Sequence, residues 1–317
     1  MSTRAQLAIA GLLLLAAALA PTLVSNYWIR VLTQVFMFAA VAQGLNVIVG
    51  FAGYHAFGNS VFFGVGAYGA GVAMSVGVPV ALALALGTAS AAAVAAVLGW
   101  PLLRLKGHYF AIATVALNMA VSELVINVGG ITGGAQGLPL PISEIAPDQL
   151  YRIIYFVMLG AAASATAAVW WLSFSRLGYA LRALRDSESG AEVMGVNTVQ
   201  AKILAWIISA VFTGAVGAIW AWWITFIEVG SAFDISISVR GYIMMLLGGM
   251  GTIVGPVIGA VLFEVASNVA WSKFSGTHNM LLGAFVVLVV LILPNGLVDF
   301  FSGRLLRRRR APREARA

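Results

Sequence analysis

Long apolar stretches separated by short polar breaks organise this chain. Ten runs can be marked: Leu7 to Val24, Tyr27 to Gly50, Phe57 to Val78, Val80 to Leu103, His108 to Val128, Tyr151 to Phe174, Ala201 to Ile227, Ile235 to Gly248, Gly251 to Trp271 and Met280 to Phe301. A helix needs about 20 apolar residues to cross the hydrocarbon core, and most of the runs approach or exceed that. The pattern predicts an all-α, polytopic transmembrane helical bundle of about ten spans. The third, eighth and ninth runs carry so much glycine that some of them are expected to be broken or re-entrant. A Gly/Pro-rich stretch, 129–149, and a charged one, 175–200, interrupt the series. The first run reads as an uncleaved span. Ala18-Leu19-Ala20 resembles a leader cleavage site, but Pro21 follows it directly and only Arg4 charges the start.

Charge orients the bundle. With both termini cytoplasmic, the inner side holds Arg4, Arg104, Lys106, Arg176, Arg182, Arg185, Lys202 and seven arginines from Arg304 to Arg316, which is 14 of the 18 basic residues. Arg30, Arg152, Arg240 and Lys273 stay outside. This is the positive-inside bias. An odd number of spans before Ser175 would spoil it. Trp28, Tyr151, Trp222 and Trp223 fall at outer span ends and Trp100, Trp170 and Trp171 at inner ones, as aromatic belts do. The chain thus divides into a transmembrane domain, 1–302, with a cytoplasmic helix near 179–195, and a basic cytoplasmic tail, 303–317.

Composition agrees. Of 317 residues 61% are hydrophobic and 9% charged, with a mean hydropathy of +0.98. A soluble chain is about 45–50% apolar and about 25% charged. A soluble enzyme, a nucleic-acid-binding domain and a disordered chain are excluded. Cysteine is absent, so there is no disulfide framework or thiolate metal site. The net charge of +7 is concentrated in the tail, where it fixes orientation and meets anionic lipid.

Soluble-enzyme motifs fail on context. Gly64-Val65-Gly66-Ala67-Tyr68-Gly69 matches the dinucleotide fingerprint but lies inside an apolar run, with no acid before Glu123. No stretch matches a P-loop, so this chain does not hydrolyse ATP by that mechanism. His55, His108 and His278 are scattered and predict no metal site. The informative residues lie within the spans. Intramembrane charge is expensive and marks function by default, which singles out Glu123, Glu264 and Arg240. A purely structural acid–base pair is the other reading. Asn46, Asn59, Asn118 and Thr114 add amides and a hydroxyl suited to a zwitterionic or neutral polar solute. Gly251, Gly255 and Gly259 are spaced for one helix face, where small residues allow close packing. Glycine-rich runs also build the broken helices that line transport paths.

Residues 175–197 predict one short amphipathic helix. Leu177, Leu181, Leu184 and Glu188 fall at helical spacing, and Arg182, Arg185, Asp186 and Glu192 form a charged face. Gly195 and Asn197 are helix stops. Mixed charge suits a protein partner better than lipid.

At this point the chain resembles a known family. Gly190-Ala191-Glu192-Val193-Met194-Gly195-Val196-Asn197 resembles the coupling loop of bacterial ABC import permeases, and of the branched-chain amino acid permease family in particular. The stretches 44–53, 62–68, 109–114, 132–138 and 247–256 resemble further blocks of that family, in the same order. The Tyr109 block is more similar to one of its two permease subunits. Where the family has a Gln, a Ser-Leu-Gly and a His, this chain has Tyr54-His55-Ala56-Phe57-Gly58-Asn59-Ser60-Val61. If that region touches substrate, the departure points away from leucine, isoleucine and valine. The resemblance implies an inner-membrane permease that pairs with a second homologous permease. It also implies two P-loop ATPase subunits that bind ATP and magnesium, and a periplasmic solute-binding protein. Coupling to the ATPases would fall to Arg182, Arg185, Asp186, Glu188, Ala191, Glu192 and Gly195. The substrate path would include Asn46, Tyr54, Asn59, Asn118, Glu123, Thr132, Gly133, Gly134 and Gln136. The alternative is a stand-alone, ion-coupled secondary transporter, which would need no docking helix.

Overall fold

The computed structural model describes residues 17–22, 24–105, 107–141 and 145–273, with the isolated positions 280, 283, 287, 296 and 297. Most of the first and tenth runs, Lys106 and the basic tail lie outside the described residues, as does the expectation that both termini are cytoplasmic.

The apolar runs fold as helices. α1 (Asn26–Leu45) continues into a π-helical turn, Asn46–Phe51. α2 (Ser60–Ser75), α3 (Val80–Leu102) and α4 (His108–Asn127) follow. A helical turn, α5 (Gly129–Thr132), and strand β1 (Leu138–Pro139) lead to α6 (Pro147–Phe174). Two short helices, α7 (Arg176–Asp186) and α8 (Glu188–Val193), precede α9 (Thr198–Ile224). Strand β2 (Phe226–Ile227), α10 (Val229–Ala232), α11 (Ile235–Gly248) and α12 (Gly255–Lys273) complete the described chain. Among the described residues, six segments are long and apolar enough to cross a membrane: Asn26–Phe51, Val80–Leu102, His108–Asn127, Pro147–Phe174, Thr198–Ile224 and Val229–Gly248. Two shorter apolar helices, Ser60–Ser75 and Gly255–Ala270, take the third and ninth runs.

The centre is held by close backbone approach. A Cβ added at Gly66 of α2 would sit 2.1 Å from the carbonyl O of Gly214, and one at Gly217 would sit 2.1 Å from that of Phe63. On α3 the buried stripe is Ala83, Gly87, Ala91, Ala95 and Gly99, every fourth residue. Lipid offers no hydrophobic drive for helices to associate, so such contact is what binds them.

α2 takes most of the third run as one short, uninterrupted helix. At about 1.5 Å per residue, its 16 residues fall short of a hydrocarbon core of about 30 Å. Its first residues meet the middle of α9 and the start of α11, so α2 begins halfway through the bundle. Non-helical chain at 52–59 joins the π-helical turn to α2. β1 and β2 pair antiparallel, Leu138 with Ile227 and Pro139 with Phe226, and close the end of the bundle where α2 finishes. The starts of α1 and α6 adjoin through Asn26 and Asp148, 2.8 Å apart, and through Arg30, which donates to the Tyr151 hydroxyl.

The glycine stripe of the ninth run needs correction. α12 starts at Gly255, and Gly251 lies in the preceding turn with φ +71°. The Asn46 side chain captures that turn: its Oδ1 accepts from Gly251 N at 2.8 Å and its Nδ2 donates to Thr252 O at 2.8 Å. Only Gly255 and Gly259 remain on the helix. A Cβ at Gly259 would meet the carbonyl O of Met244 at 1.8 Å.

Candidate functional site: a helical elbow and a broken span

Residues 175–197 form an elbow of two helices, not the single helix expected. Ser175 Oγ caps α7 by accepting from Gly178 N at 3.1 Å. Ser187, extended at φ −162°, breaks the helix. Its Oγ then caps α8 by accepting from Gly190 N at 3.1 Å. A serine that satisfies an orphan N–H starts a new helix more readily than it continues an old one. Gly195 ends α8 at φ +83°, as expected. Asn197 is not a stop: its Oδ1 accepts from Gln200 N at 3.0 Å and starts α9.

The buried face of α7, Gly178, Leu181 and Leu184, turns toward the bundle. Much of the expected charged face is occupied within the chain. Arg182 donates to Gly178 O and Ser173 O. Arg185 Nη1 donates to Gly50 O at 2.7 Å. Glu192 Oε1 accepts from Thr198 Oγ1 at 2.9 Å. Glu188 faces inward, where its Oε2 accepts from the Tyr54 hydroxyl at 2.8 Å and its Oε1 from Lys202 Nζ at 2.5 Å. Ala191 is buried. The elbow's outward surface includes Arg176, Tyr179, Arg185, Asp186, Glu192, Gly195 and two apolar side chains that charge-based reasoning missed, Val193 at 86% and Met194 at 83% exposure. Tyr54, His55, Gly107, Leu184, Arg185 and Glu188 border a cavity of about 170 Å³.

A second cluster lies at the break before α2. Asn59 Nδ2 donates to Thr213 Oγ1 at 2.8 Å, and Ser209 Oγ donates to Asn59 Oδ1 at 3.2 Å. Ser60 N donates to Ser238 Oγ at 2.6 Å, and Ser60 Oγ donates to Asn118 Oδ1 at 3.2 Å. Asn118 Nδ2 donates to Phe233 O at 2.7 Å, and Gly58 N to Thr114 Oγ1 at 3.2 Å. Each of these side chains is at most 2% exposed. Non-helical backbone in a membrane interior must be satisfied by neighbouring groups; here Thr114 of α4 and Ser238 of α11 supply them, while α9 holds the Asn59 side chain. Ser209 and Thr213 escaped the sequence reading, although their four-residue spacing puts both on one face of α9.

The expected path residues therefore occupy three levels. Asn59 and Asn118 meet at the break. Asn46 and Tyr54 lie toward the elbow. Thr132, Gly133, Gly134 and Gln136 form a turn at the opposite end. There Thr132 Oγ1 donates to Val125 O at 2.6 Å, and Gly133 and Gly134 take φ of +77° and +58°. Glu123 is exposed on α4 and accepts from Asn127 Nδ2 at 3.3 Å. Glu264 is buried at 4% exposure, and its Oε2 has no hydrogen-bond partner among the described residues.

Comparison with known proteins gives a concordant result. A family model described as "Branched-chain amino acid transport system / permease component" matches residues 27–293. The LivM permease protein of the high-affinity branched-chain amino acid transport system of Salmonella typhimurium is 29% identical over 92% of this chain and 75% of its own length. The LivH permease protein of the same system is 22% identical over 82% of this chain and 91% of its own length. The autoinducer 2 import permease LsrC of Photorhabdus luminescens is 29% identical over 57% of each chain. No solved structure matches the chain.

Proposed function

Because the chain belongs to the branched-chain amino acid transport permease family, we propose that it is the membrane-spanning permease subunit of an ATP-driven importer for branched-chain amino acids or related small polar solutes. Its partners are a second homologous permease, two P-loop ATPase subunits that carry ATP and magnesium, and a periplasmic solute-binding protein, all at the bacterial inner membrane. The observation that carries this reading is the elbow. Val193 and Met194 project at the end of α8, beside Asp186 and Glu192. Exposed apolar side chains rimmed by charge mark a protein contact. A permease that worked alone would have no need of it. The elbow packs against α9 and the π-helical turn, so a push on it reaches the spans. ATP drives transport only by favouring one conformation over another. Asn59, Asn118 and their hydroxyl partners line the middle of the path, Glu123 and the Thr132 to Gln136 turn face the delivery side, and both termini are cytoplasmic across about ten spans.

The test is uptake of labelled leucine by proteoliposomes holding the purified complex and its binding protein. ATP-dependent uptake that survives collapse of every ion gradient supports the importer. Uptake that follows a sodium or proton gradient without ATP overturns it.

A further inference from the structure

The Glu188–Lys202 pair stands apart from the rest of the elbow. Lys202 is 5% and Glu188 19% exposed at the side chain. A pair this withdrawn is no contact for a docking partner. Nor is it a good device for stability, because desolvation cancels most of its attraction and well-packed apolar residues serve as well. What it does specify is register: the carboxylate joins the first residue of α8 to α9 and, through the Tyr54 hydroxyl, to the unwound segment 52–59.

That segment leads directly to the break. Five residues beyond Tyr54, Asn59 sits in the buried polar cluster. The intervening chain is pinned, since a Cβ at Gly58 would lie 1.7 Å from the Thr114 carbonyl O. The Tyr54 ring also starts a run of aromatic contacts. Lys202 Nζ lies 5.1 Å from its centroid, Phe110 of α4 meets it edge-on at 5.3 Å, Trp206 of α9 lies 5.6 Å from Phe110, and Phe62 of α2 lies 4.9 Å from Trp206. A cavity borders Tyr54 and Glu188 on the elbow side of the triad.

We propose that Tyr54, Glu188 and Lys202 form an internal latch that ties the position of the elbow to the broken start of α2, and thereby sets how much solute moves per ATP hydrolysed. These are positioning residues, acting through the segment they hold. The inference rests on the importer reading above and assigns Glu188 a role inside the chain in place of contact with an ATPase.

The test uses the complete complex in proteoliposomes, with leucine uptake and ATP hydrolysis measured on the same preparation. The double variant Glu188→Leu/Lys202→Leu removes both charges together, so it should fold, since such replacement is often neutral. Tyr54→Phe is the gentler variant, losing one hydroxyl. The latch predicts that both variants retain the ATPase subunits and hydrolyse ATP, while solute moved per ATP falls about tenfold in the double variant. Adding Tyr54→Phe to the double variant should lower it no further. An unchanged transport-to-hydrolysis ratio in both would overturn the latch, and so would loss of the ATPase subunits, which would make Glu188 a docking residue. If the unaltered complex transports without ATP, the importer reading itself has failed, a result distinct from either.

Discussion

Gly66→Ala adds one methyl where α2 crosses α9, and the structure sets its cost. The new Cβ would stand 2.1 Å from the carbonyl O of Gly214, 2.7 Å from its carbonyl carbon and 2.7 Å from its Cα. Ordinary contact begins near 3.4 Å, so the two helices must separate by more than 1 Å. All three obstructing atoms are backbone, and no side chain can rotate away. Separation would also loosen α3, because Gly87 packs against the Gly66 carbonyl: a Cβ there would meet it at 2.4 Å. Overpacking a core costs about 1–3 kcal/mol, and this site belongs at the upper end. Gly160 on α6 is the internal control. It is exposed, and a Cβ there meets nothing within 4 Å. Alanine at that point should gain roughly 0.5–1 kcal/mol from better helix propensity. The assay is the thermal midpoint of detergent-solubilised protein, followed by size-exclusion chromatography with fluorescence detection. Gly66→Ala should lower the midpoint by roughly 5–10 °C, using about 2–4 °C per kcal/mol. Gly160→Ala should match or exceed the parent. Equal midpoints for the two variants would refute the claim that close backbone approach holds the centre together.

Two further outcomes follow from local geometry. Asn46→Leu strands both Gly251 N and Thr252 O in a half-buried turn, at about 1–3 kcal/mol per orphaned group. A single cysteine placed at Thr252, in a chain that has none of its own, should then react faster with a maleimide. Gly133→Ala forces a Cβ to 2.1 Å from the Gly137 carbonyl O at φ +77°. It should detach β1 from β2, read as faster proteolysis between residues 133 and 140, with the bundle's helicity retained.

The spans were legible because membrane helices announce themselves by length and apolarity, and α3, α4, α6 and α9 lie close to the runs that predicted them. Glycine content marked the third run as irregular but did not reveal the non-helical segment 52–59 ahead of it. Its place depends on Thr213, Ser209 and Ser238, side chains about 150 to 180 residues away in sequence. The Gly251, Gly255 and Gly259 spacing suits a helix perfectly well. It misled because Asn46, 205 residues earlier, draws the Gly251 amide into a turn. The elbow's two helices were open to sequence reading, since Ser187 three residues before Gly190 is a capping pattern, yet the continuous leucine spacing masked it. The inward turn of Glu188 needed a buried lysine one helix away. Val193 and Met194 drew no attention in a reading guided by charge, and the geometry of α8 exposes them.

The most direct test of the importer account is the set of chains that co-purify with the tagged, full-length protein from its native membranes. The unaltered chain should bring down a second permease and P-loop ATPase subunits. Val193→Glu/Met194→Glu should keep the second permease and lose the ATPases. Recovery of the chain alone, or ATPases held equally well by that variant, would contradict the assignment of the elbow as the place where the ATP-driven machinery docks.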